Sequence, residues 1–332
     1  MTKNRCTALI TGFDGFVGPY LALHLLDHGR RVWGTMYKGL KEIPPHPLKE
    51  TLRKNAVRIL PVDLVDDENV GEVIDQVKPD EVYHLAGISH IPTSWENPRL
   101  TFLTNVMGTV NLLEAIRNSG RRVRVLIISS AEVYGKPAPG DLPTRETAPI
   151  KPGNPYAASK AALDLLAFQW SRYPGMHVVR ARPFSHTGPG QSPNFVCSGF
   201  ARQLAAVSLG QAPPLVTVGN LSVRRDFTDV RDVARAYRLV LEKGKNGEVY
   251  NICSGKSYSI KTILQTLVSF SDQPIKVKKD PARLRVSDVP ETRGSCAKLK
   301  KATGWQPEIP FPQTLRDLYE YWKHPVSRKA PE

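Results

Sequence analysis

Three residues of this 332-residue chain have the types and spacing needed for proton transfer to a substrate oxygen. Tyr156 and Lys160 lie four residues apart in the helix-forming stretch NPYAASKAALDLL, so they share one helix face. A tyrosine pKa near ~10 is too high for efficient exchange at neutral pH, and a neighbouring ammonium lowers it. Such a pair alone could be a surface pair. Ser130, however, ends a predicted strand in LIISSAEVYG, where its hydroxyl can bind the oxygen that Tyr156 protonates.

A glycine loop, TGFDGFVG, is the second candidate site. It places Gly12, Gly15 and Gly18 between the first predicted strand and the first predicted helix. Glycine allows backbone N–H groups to approach a pyrophosphate at a helix N-terminus. The G-x-x-G-x-x-G spacing in this strand–turn–helix context therefore predicts a dinucleotide site.

The second predicted strand, RVWGTMYKG, bears on the choice of dinucleotide. It lacks the Asp or Glu that usually binds the ribose 2′-OH in NAD sites. Tyr37 and Lys38 stand where a 2′-phosphate would lie, so NADP(H) is the preferred cofactor. NAD(H) is the alternative if Lys38 is a solvated loop lysine. Residues after the third and fourth predicted strands are expected to line the adenine pocket and the cofactor path, namely Asp63, Leu64, Leu85, Ala86 and Gly87.

The elements that would position these groups alternate between strand and helix patterns over the first 180 or so residues. Six apolar runs predict strands: Ala8–Ile10, Arg31–Thr35, Val57–Pro61, Glu81–Leu85, Val123–Ile128 and His177–Ala181. Such alternation predicts a Rossmann-type, doubly wound parallel α/β sheet. Residues 1–182 are expected to bind the dinucleotide, and 183–325 to form a smaller, loop-rich substrate subdomain. Segments around 225–255, including the run Glu248–Ile252, are expected to rejoin the first sheet.

Composition narrows the function classes. The formal charge is +15, but Lys and Arg are spread along the chain and no nucleic-acid-binding module is visible. No apolar run is long enough to cross a bilayer, and the N-terminus lacks a signal-peptide pattern. The four cysteines are scattered without a CxxC pair, which argues against a disulfide framework or a zinc site. We therefore expect a cytoplasmic enzyme without a metal, a nucleic-acid partner or a membrane anchor.

The Ser130, Tyr156 and Lys160 set, with the glycine loop upstream, resembles the extended short-chain dehydrogenase/reductase family. The resemblance covers essentially the whole chain and includes Asn105 in TNVMGTVNLLEA and the stretch RDFTDVRDVARAY. It implies that Lys160 also binds the nicotinamide ribose. It also implies a homodimer formed through helices near Leu100–Ser119 and Tyr156–Tyr173. Further cofactor contacts implied by the resemblance are Phe16, Val17, Asn105, Ser129, Pro183, Phe184 and His186, of which Pro183 and Phe184 flank the nicotinamide ring.

The second half is most similar to the GDP-6-deoxy-4-keto-mannose reductases, which make GDP-rhamnose. The matching stretches are RPFSHTGPGQSPNFV, VGNLSVRRDFTDV and RVSDVPETRGSCAKLKKATGWQPEIP. Arg225 and Arg285 are suited to bidentate pyrophosphate contacts, and Asp288 to ribose hydroxyls. The resemblance implies a GDP-linked sugar as substrate. Its remaining contacts would be Ser185, Asn194, Phe195, Val196 and Gly219.

Alternatives to NADPH-dependent ketone reduction stay open. Ser185 stands where these reductases usually carry Asn, and Ala131 where many dehydratases carry Asp. GDP-mannose 4,6-dehydratases lack that Asp yet use the following Glu, so Glu132 keeps a lyase possible. Against the lyase, GFVG replaces the Gln-Asp-Gly run usual in the glycine loop of those dehydratases. A 4-epimerase and a non-catalytic cofactor-binding protein are the remaining hypotheses.

Overall fold

A computed structural model describes residues 5–37, 46–54, 57–138, 140–283 and 289–324. Three predicted site residues, Lys38, Arg285 and Asp288, lie outside the described residues. The strands in chain order are β1 (Thr7–Thr11), β2 (Arg31–Tyr37), β3 (Arg58–Val62), β4 (Glu81–His84), β5 (Arg124–Ile128), β6 (His177–Pro183), β7 (Ser185–Thr187), β8 (Leu215–Val218), β9 (Arg224–Asp229), β10 (Val249–Ile252), β11 (Ser257–Ser259), β12 (Lys276–Lys279) and β13 (Glu291–Thr292).

The helices in chain order are α1 (Gly18–Asp27), α2 (Lys49–Lys54), α3 (Asp67–Val77), α4 (Ile91–Glu96), α5 (Pro98–Phe102), α6 (Gly108–Asn118), α7 (Pro155–Trp170), α8 (Val196–Ser208), α9 (Val230–Lys243), α10 (Ile260–Val268), α11 (Ala297–Thr303) and α12 (Phe311–Lys323). A π-helical turn, Leu103–Met107, joins α5 to α6. Two 3₁₀ turns occupy Ala131–Tyr134 and Pro281–Arg283.

The main sheet has seven parallel strands in the order β10-β6-β5-β4-β1-β2-β3. Strand order reverses beside β1, as in doubly wound folds, so β1 and β4 flank the position where ligands bind. All carboxyl ends of the strands meet at one edge. The predicted Rossmann-type sheet is confirmed, and the run Glu248–Ile252 contributes β10, which pairs with β6.

Both faces of the sheet are covered because alternate residues of its buried strands point to opposite sides. On β5, Leu126 and Ile128 join a core formed with α1 and α9. Val125 and Ile127 join the opposite core, formed with α3, α6 and α7. The helices therefore clamp the sheet and fix the edge at which the loops leave it.

The later part of the chain builds a separate apolar cluster between α8, α10 and α12, with β8 at its side. Phe227 of β9 stacks on Phe311 at a centroid distance of 5.4 Å. β9 pairs with β7, β11 and β13, so it carries a small second sheet next to the end of β6. Among the described helices, none is long and apolar enough to cross a bilayer.

Candidate active site

The glycine loop follows β1 and leads into α1. Gly12 has φ +67°, and a Cβ there would lie 2.6 Å from Ala86 Cα; a Cβ at Gly18 would lie 2.5 Å from the Phe13 carbonyl oxygen. Glycine is therefore required at both positions for the loop to pack. Val17, the N-cap of α1, makes no side-chain capping bond, and the first turn carries no acidic residue. This loop thus fits a pyrophosphate, whose charge the helix N-terminus favours.

The loop after β4 is held by Asn105, which lies in the π-helical turn. The Ile88 N–H donates to Asn105 Oδ1 (2.7 Å), and Asn105 Nδ2 donates to the Ile88 carbonyl (3.0 Å) and to Ser159 Oγ (2.9 Å). Gly87 has φ +150°, and a Cβ there would lie 2.7 Å from Asn105 Oδ1. Asn105 therefore shapes the path that Leu85, Ala86 and Gly87 leave for a cofactor and ties it to α7.

Helix α7 presents Tyr156 from its first turn. Asn154 caps the helix by accepting the Ala157 N–H (2.8 Å). The Tyr156 N–H donates to Ser94 Oγ (3.2 Å), and the Ser130 side chain lies close enough to the buried phenol to lower its pKa. The structure therefore brings Tyr156 and Ser130 together, as the sequence predicts.

The pKa of Tyr156 shifts in the direction opposite to the predicted one. Burial raises it to about 12 and outweighs the lowering effect of the Ser130 hydrogen bond. Lys160 Nζ instead donates to the Ile128 carbonyl (2.8 Å), and burial lowers the pKa of Lys160 to about 8. A Cβ at Gly87 would lie 3.7 Å from Lys160 Nζ, so this ammonium faces the cofactor path. The prediction that Lys160 lowers the pKa of Tyr156 is wrong for this arrangement, because desolvation dominates.

Glu132 lies beside the same phenol. Its backbone N–H donates to Ser130 Oγ (3.2 Å), and its charge contributes to raising the pKa of Tyr156. Ala131 between them begins the 3₁₀ turn and offers no proton. The turn after β5 thus places one hydroxyl and one carboxylate near Tyr156.

The end of β6 supplies Pro183 and the buried Phe184, whose N–H donates to the Ile252 carbonyl (2.8 Å). His186 stacks on Phe16 of the glycine loop, with ring centroids 6.0 Å apart and planes 4° apart. Its Nδ1 lies 3.1 Å from the Phe184 carbonyl oxygen. The stack joins the glycine loop to β7. Ser129 is directed inward, because its Oγ donates to the Lys160 carbonyl (3.1 Å) and helps to seat α7.

The predicted adenine side is more open. Tyr37 ends β2 with 56% of its surface exposed. Asp63 Oδ1 accepts the Val65 N–H (3.1 Å), so this carboxylate shapes the turn after β3. Leu64 is buried, and a Cβ at Gly108 would lie 2.8 Å from its Cβ. Asp63 and Leu64 therefore build the wall of the turn between β3 and α3.

The predicted substrate residues border the second sheet and the start of α8. Ser185 begins β7, Gly219 follows β8, and Asn194 precedes Phe195, the N-cap of α8, with Val196 as its first residue. Phe195 is 37% exposed and meets His90 edge-on at 6.3 Å. Arg225 Nη1 donates to the Val289 carbonyl (2.7 Å), next to the segment containing Arg285 and Asp288, which the structure does not describe.

Several residues that support the site were not predicted from the sequence. Ser94 carried no sequence signal, because its contact with Tyr156 spans 62 positions. His84 is fully buried at the end of β4, between Thr11 Oγ1 (2.7 Å) and Thr109 Oγ1 (2.9 Å). Thr109 donates its proton to the Asn105 carbonyl (2.6 Å), so it accepts one from His84 Nε2. His84 is thus the neutral Nε2–H tautomer, and a lone histidine at a strand end was the available clue.

Within the described ranges, no group of three or more His, Cys, Asp or Glu side chains is arranged to hold a metal ion.

Comparison with known proteins agrees with this arrangement. The chain is 37% identical to GDP-6-deoxy-D-mannose reductase from Pseudomonas aeruginosa, covering 96% of this chain and 97% of that protein. It is 31% identical to GDP-mannose 4,6 dehydratase 2 from Arabidopsis thaliana, covering 96% and 87%.

Solved structures give the same result. RMD from Pseudomonas aeruginosa complexed with NADPH matches with a TM-score of 0.82 and 35% identity, covering 96% of this chain and 99% of that one. UDP-glucose 4-epimerase from Thermus thermophilus in complex with NAD matches with a TM-score of 0.83 and 28% identity, covering 96% and 99%.

The profile of one family, GDP-mannose 4,6 dehydratase, matches residues 9–318. The resemblance to extended short-chain dehydrogenases/reductases is thereby confirmed. The chain belongs to the GDP-mannose 4,6 dehydratase family of these enzymes.

Proposed function

We propose that this protein reduces the C4 ketone of GDP-4-keto-6-deoxy-mannose with NADPH, giving a GDP-6-deoxyhexose such as GDP-rhamnose. The observation that carries the proposal is the buried Tyr156–Ser130 pair at the carboxyl edge of the sheet, next to Lys160 and the glycine loop. Similarity to the Pseudomonas aeruginosa reductase over nearly its full length supports the choice of reaction and substrate.

When bound, NADPH would supply the hydride. The glycine loop and the N-terminus of α1 would hold its pyrophosphate, and Lys160 its nicotinamide ribose. Phe184 would pack beside the ring. A side chain at Gly87 would clash with Asn105 Oδ1, and its Cβ would lie 3.7 Å from Lys160 Nζ, so glycine keeps this part of the cofactor path open. The NADPH of the similar reductase structure supports the cofactor.

Tyr156 would donate the proton to the ketone oxygen as the carbon is reduced. Burial raises the pKa of Tyr156 to about 12, so the free phenol holds its proton at neutral pH and is a weaker acid than an unperturbed tyrosine. Ser130 would donate a hydrogen bond to the same oxygen and orient the carbonyl. Binding of the remote GDP by the second subdomain would hold the reacting carbon in place.

The preference for NADPH can be tested at Lys38, which follows Tyr37 in the sequence. Lys38→Ala should weaken NADPH more than NADH, by about tenfold for one charge-assisted contact of ~1.5 kcal/mol. Titration of both cofactors gives the comparison. Equal losses for the two would assign Lys38 to solvent.

A GDP-mannose 4,6-dehydratase is the second candidate, because the charge of Glu132 acts on Tyr156 and so lies near the reacting atoms. Glu132 would then be the base at C5 of the sugar. Relatives that carry the dehydratase name also cover most of this chain. The GFVG sequence of the glycine loop, where those dehydratases usually carry Gln-Asp-Gly, weighs against dehydration.

The decisive experiment incubates the protein with GDP-mannose and, separately, with its 4-keto-6-deoxy derivative, each with and without NADPH. A reductase oxidises NADPH in proportion to product from the keto sugar. A dehydratase converts GDP-mannose without net cofactor consumption. Conversion of GDP-mannose without added NADPH would overturn the reductase.

Glu132→Gln separates the two reactions within one protein. Proton abstraction at C5 is indispensable to dehydration and has no part in ketone reduction. The variant should keep much of its reductase rate, with Tyr156→Phe as the inactive control. Loss of both the keto-sugar reduction and any GDP-mannose conversion in Glu132→Gln would contradict the assignment of the proton to Tyr156 alone.

We also propose a homodimer formed through α5, the π-helical turn and α7. This surface exposes a cluster of large apolar side chains: Leu100, Phe102, Met107, Leu165, Phe168 and Tyr173. Monomeric proteins rarely expose apolar patches of that extent. Leu165 is 58% exposed, so Leu165→Glu should change little in the monomer fold but give a smaller mass by light scattering. An unchanged mass would place the interface elsewhere.

We assign the dinucleotide to residues 1–182 together with α9 and β10, and the sugar nucleotide to the rest of 183–325, including β9 of the second sheet. The separate apolar cluster of α8, α10 and α12 supports this division. A cytoplasmic location is supported by the cysteines, since Cys6, Cys197, Cys253 and Cys296 are free thiols.

A further inference from the structure

Asp164 extends the stripe of Tyr156 and Lys160 by one more step of four residues on α7. Its side chain is completely buried and is bound by two arginines of β6. Arg182 forms a fork, with Nε 2.8 Å from Oδ2 and Nη2 2.9 Å from Oδ1, and Arg180 Nη1 lies 2.7 Å from Oδ1. The helix that carries the proton donor is therefore locked to β6 by charge-assisted hydrogen bonds.

The Arg182 guanidinium also contacts the turn after β5. Its Nη1 donates to Tyr134 OH (3.0 Å), and its guanidinium carbon lies 5.0 Å from the centre of the Tyr134 ring. Tyr134 closes the 3₁₀ turn that starts next to Ser130, and its hydroxyl donates to Asn251 Oδ1 of β10 (2.7 Å). One buried arginine thus connects α7, β6, β10 and the turn of Ser130 and Glu132.

Arg182 is also connected to the proposed cofactor site through the backbone. It directly precedes Pro183 and Phe184, the residues assigned to the nicotinamide ring. Its side chain is only 4% exposed, and the pKa of Asp164 is held below its usual value by Arg182. Both partners are therefore charged in the interior, where the loss of one would leave the other uncompensated.

We propose that the Asp164–Arg182–Tyr134 network positions the turn that carries Ser130 relative to Tyr156, so that both side chains reach one substrate oxygen. The residues act through Tyr156 and Ser130 and touch no substrate atom. The proposal rests on the proposed function only for the identity of the proton donor. It applies equally to reduction and to dehydration, since both need the Tyr156–Ser130 pair.

The test measures kcat, KM and NADPH binding for Arg182→Lys and Asp164→Asn. Arg182→Lys keeps the charge but loses the fork. We expect kcat to fall by ~10–10²-fold, the range for an ångström-scale misplacement of a reacting group, while KM and the cofactor Kd change little. Arg30→Lys is the matched control: Arg30 also binds carboxylates, Glu81 and Glu242, but at the opposite edge of the sheet. Its kcat should stay near that of the parent.

The pH profile separates positioning from general destabilisation. The Ser130 hydrogen bond lowers the pKa of Tyr156. A displaced turn loses that effect and the smaller, opposing effect of the Glu132 charge, so the alkaline limb of kcat should move to higher pH in Arg182→Lys. A protein that is merely less folded would lose amplitude at every pH without a shift of the limb.

Two further variants keep the test decisive if the single changes do not fold. Asp164→Leu/Arg180→Met/Arg182→Met removes the carboxylate together with both of its arginines and leaves no uncompensated ion in this cluster. Tyr134→Phe removes only the hydroxyl that links Arg182 to Asn251. Normal kcat in either folded variant would overturn the network's role. A wild-type protein that is inactive on the keto sugar but active on GDP-mannose would instead overturn the reductase, with the network tested on the second substrate.

Discussion

Arg30 at the amino edge of the main sheet and Lys160 at the carboxyl edge differ in whether nearby carboxylates compensate their buried charge. At the amino edge, Arg30 lies 3.4 Å from Glu81 and 2.5 Å from Glu242, and these carboxylates raise its pKa despite burial. At the carboxyl edge, burial lowers the pKa of Lys160 to about 8 and raises that of Tyr156 to about 12. Charge at the amino edge is compensated and supports the fold. The charge of Lys160 at the carboxyl edge costs stability and is available for chemistry.

Among the substitutions that test this comparison, Tyr156→Phe should have the largest effect, which is on the reaction rate. It removes one hydroxyl and almost no volume, so the fold and the cofactor site should persist. The rate should fall by ~10²–10⁴-fold, the usual contribution of a general acid. Single-turnover reduction of the keto sugar, with NADPH binding measured by calorimetry, checks both halves. Near-normal turnover would remove Tyr156 from the mechanism.

Lys160→Met should lower activity and raise stability together. The variant loses the assigned ribose contact, so NADPH should bind about tenfold more weakly, as for one charge-assisted hydrogen bond of ~1.5 kcal/mol. It also removes an ammonium whose burial is unfavourable, so the melting temperature should rise by about 2 °C or more. Thermal unfolding and NADPH titration measure the two effects. An unchanged NADPH Kd would contradict the ribose contact.

Acid should weaken the carboxyl edge through His84. Burial and the charge of Lys160 lower the pKa of this histidine from 6.5 to about 3. Below pH 6.5 the unfolded chain binds a proton that the folded chain excludes. The stabilising contribution is therefore complete above pH 6.5 and is lost as the pH falls towards 3.

The measurement is the free energy of unfolding from pH 7.5 to 4.5 for the parent and for His84→Gln. The pKa values of His24 and His46 are also lowered, both to about 4, so the difference between the two proteins is the quantity to follow. The pH dependence should be shallower in His84→Gln. Identical slopes would mean that His84 is protonated in the fold.

Arg30→Met should produce the smallest effect, with the opposite sign to Lys160→Met. The Arg30 side chain is only 20% exposed, but Arg238 still pairs with Glu242 after its removal. The melting temperature should therefore fall, and more so at low salt. Turnover should be unchanged because Arg30 lies at the edge away from the site. A melting temperature that rises in both Lys160→Met and Arg30→Met would contradict the inference that Arg30 is compensated and Lys160 is not.

Much of this fold was predictable because its signals are local. Each strand of the first half is an apolar run, α1 is preceded by a glycine loop, and Asn154-Pro155 marks the start of α7. Parallel pairing follows as the expectation, since a helix between two strands usually returns the chain to the same end of the sheet. Tyr156 and Lys160 needed only the helical period to be placed on one face, and Ser130 only its position at a strand end.

The sequence by itself determined which functional groups the protein has and at which strand end or helix turn each of them lies. Only the tertiary structure decided the burial, the hydrogen-bond partners and the pKa of each group. The pKa of Tyr156 depends on burial. The hydrogen bond from the Tyr156 N–H to Ser94 joins residues 62 positions apart, and the fork from Arg182 to Asp164 joins residues 18 positions apart. Desolvation and long-range hydrogen bonds are properties of the packed chain, so no local pattern reports them.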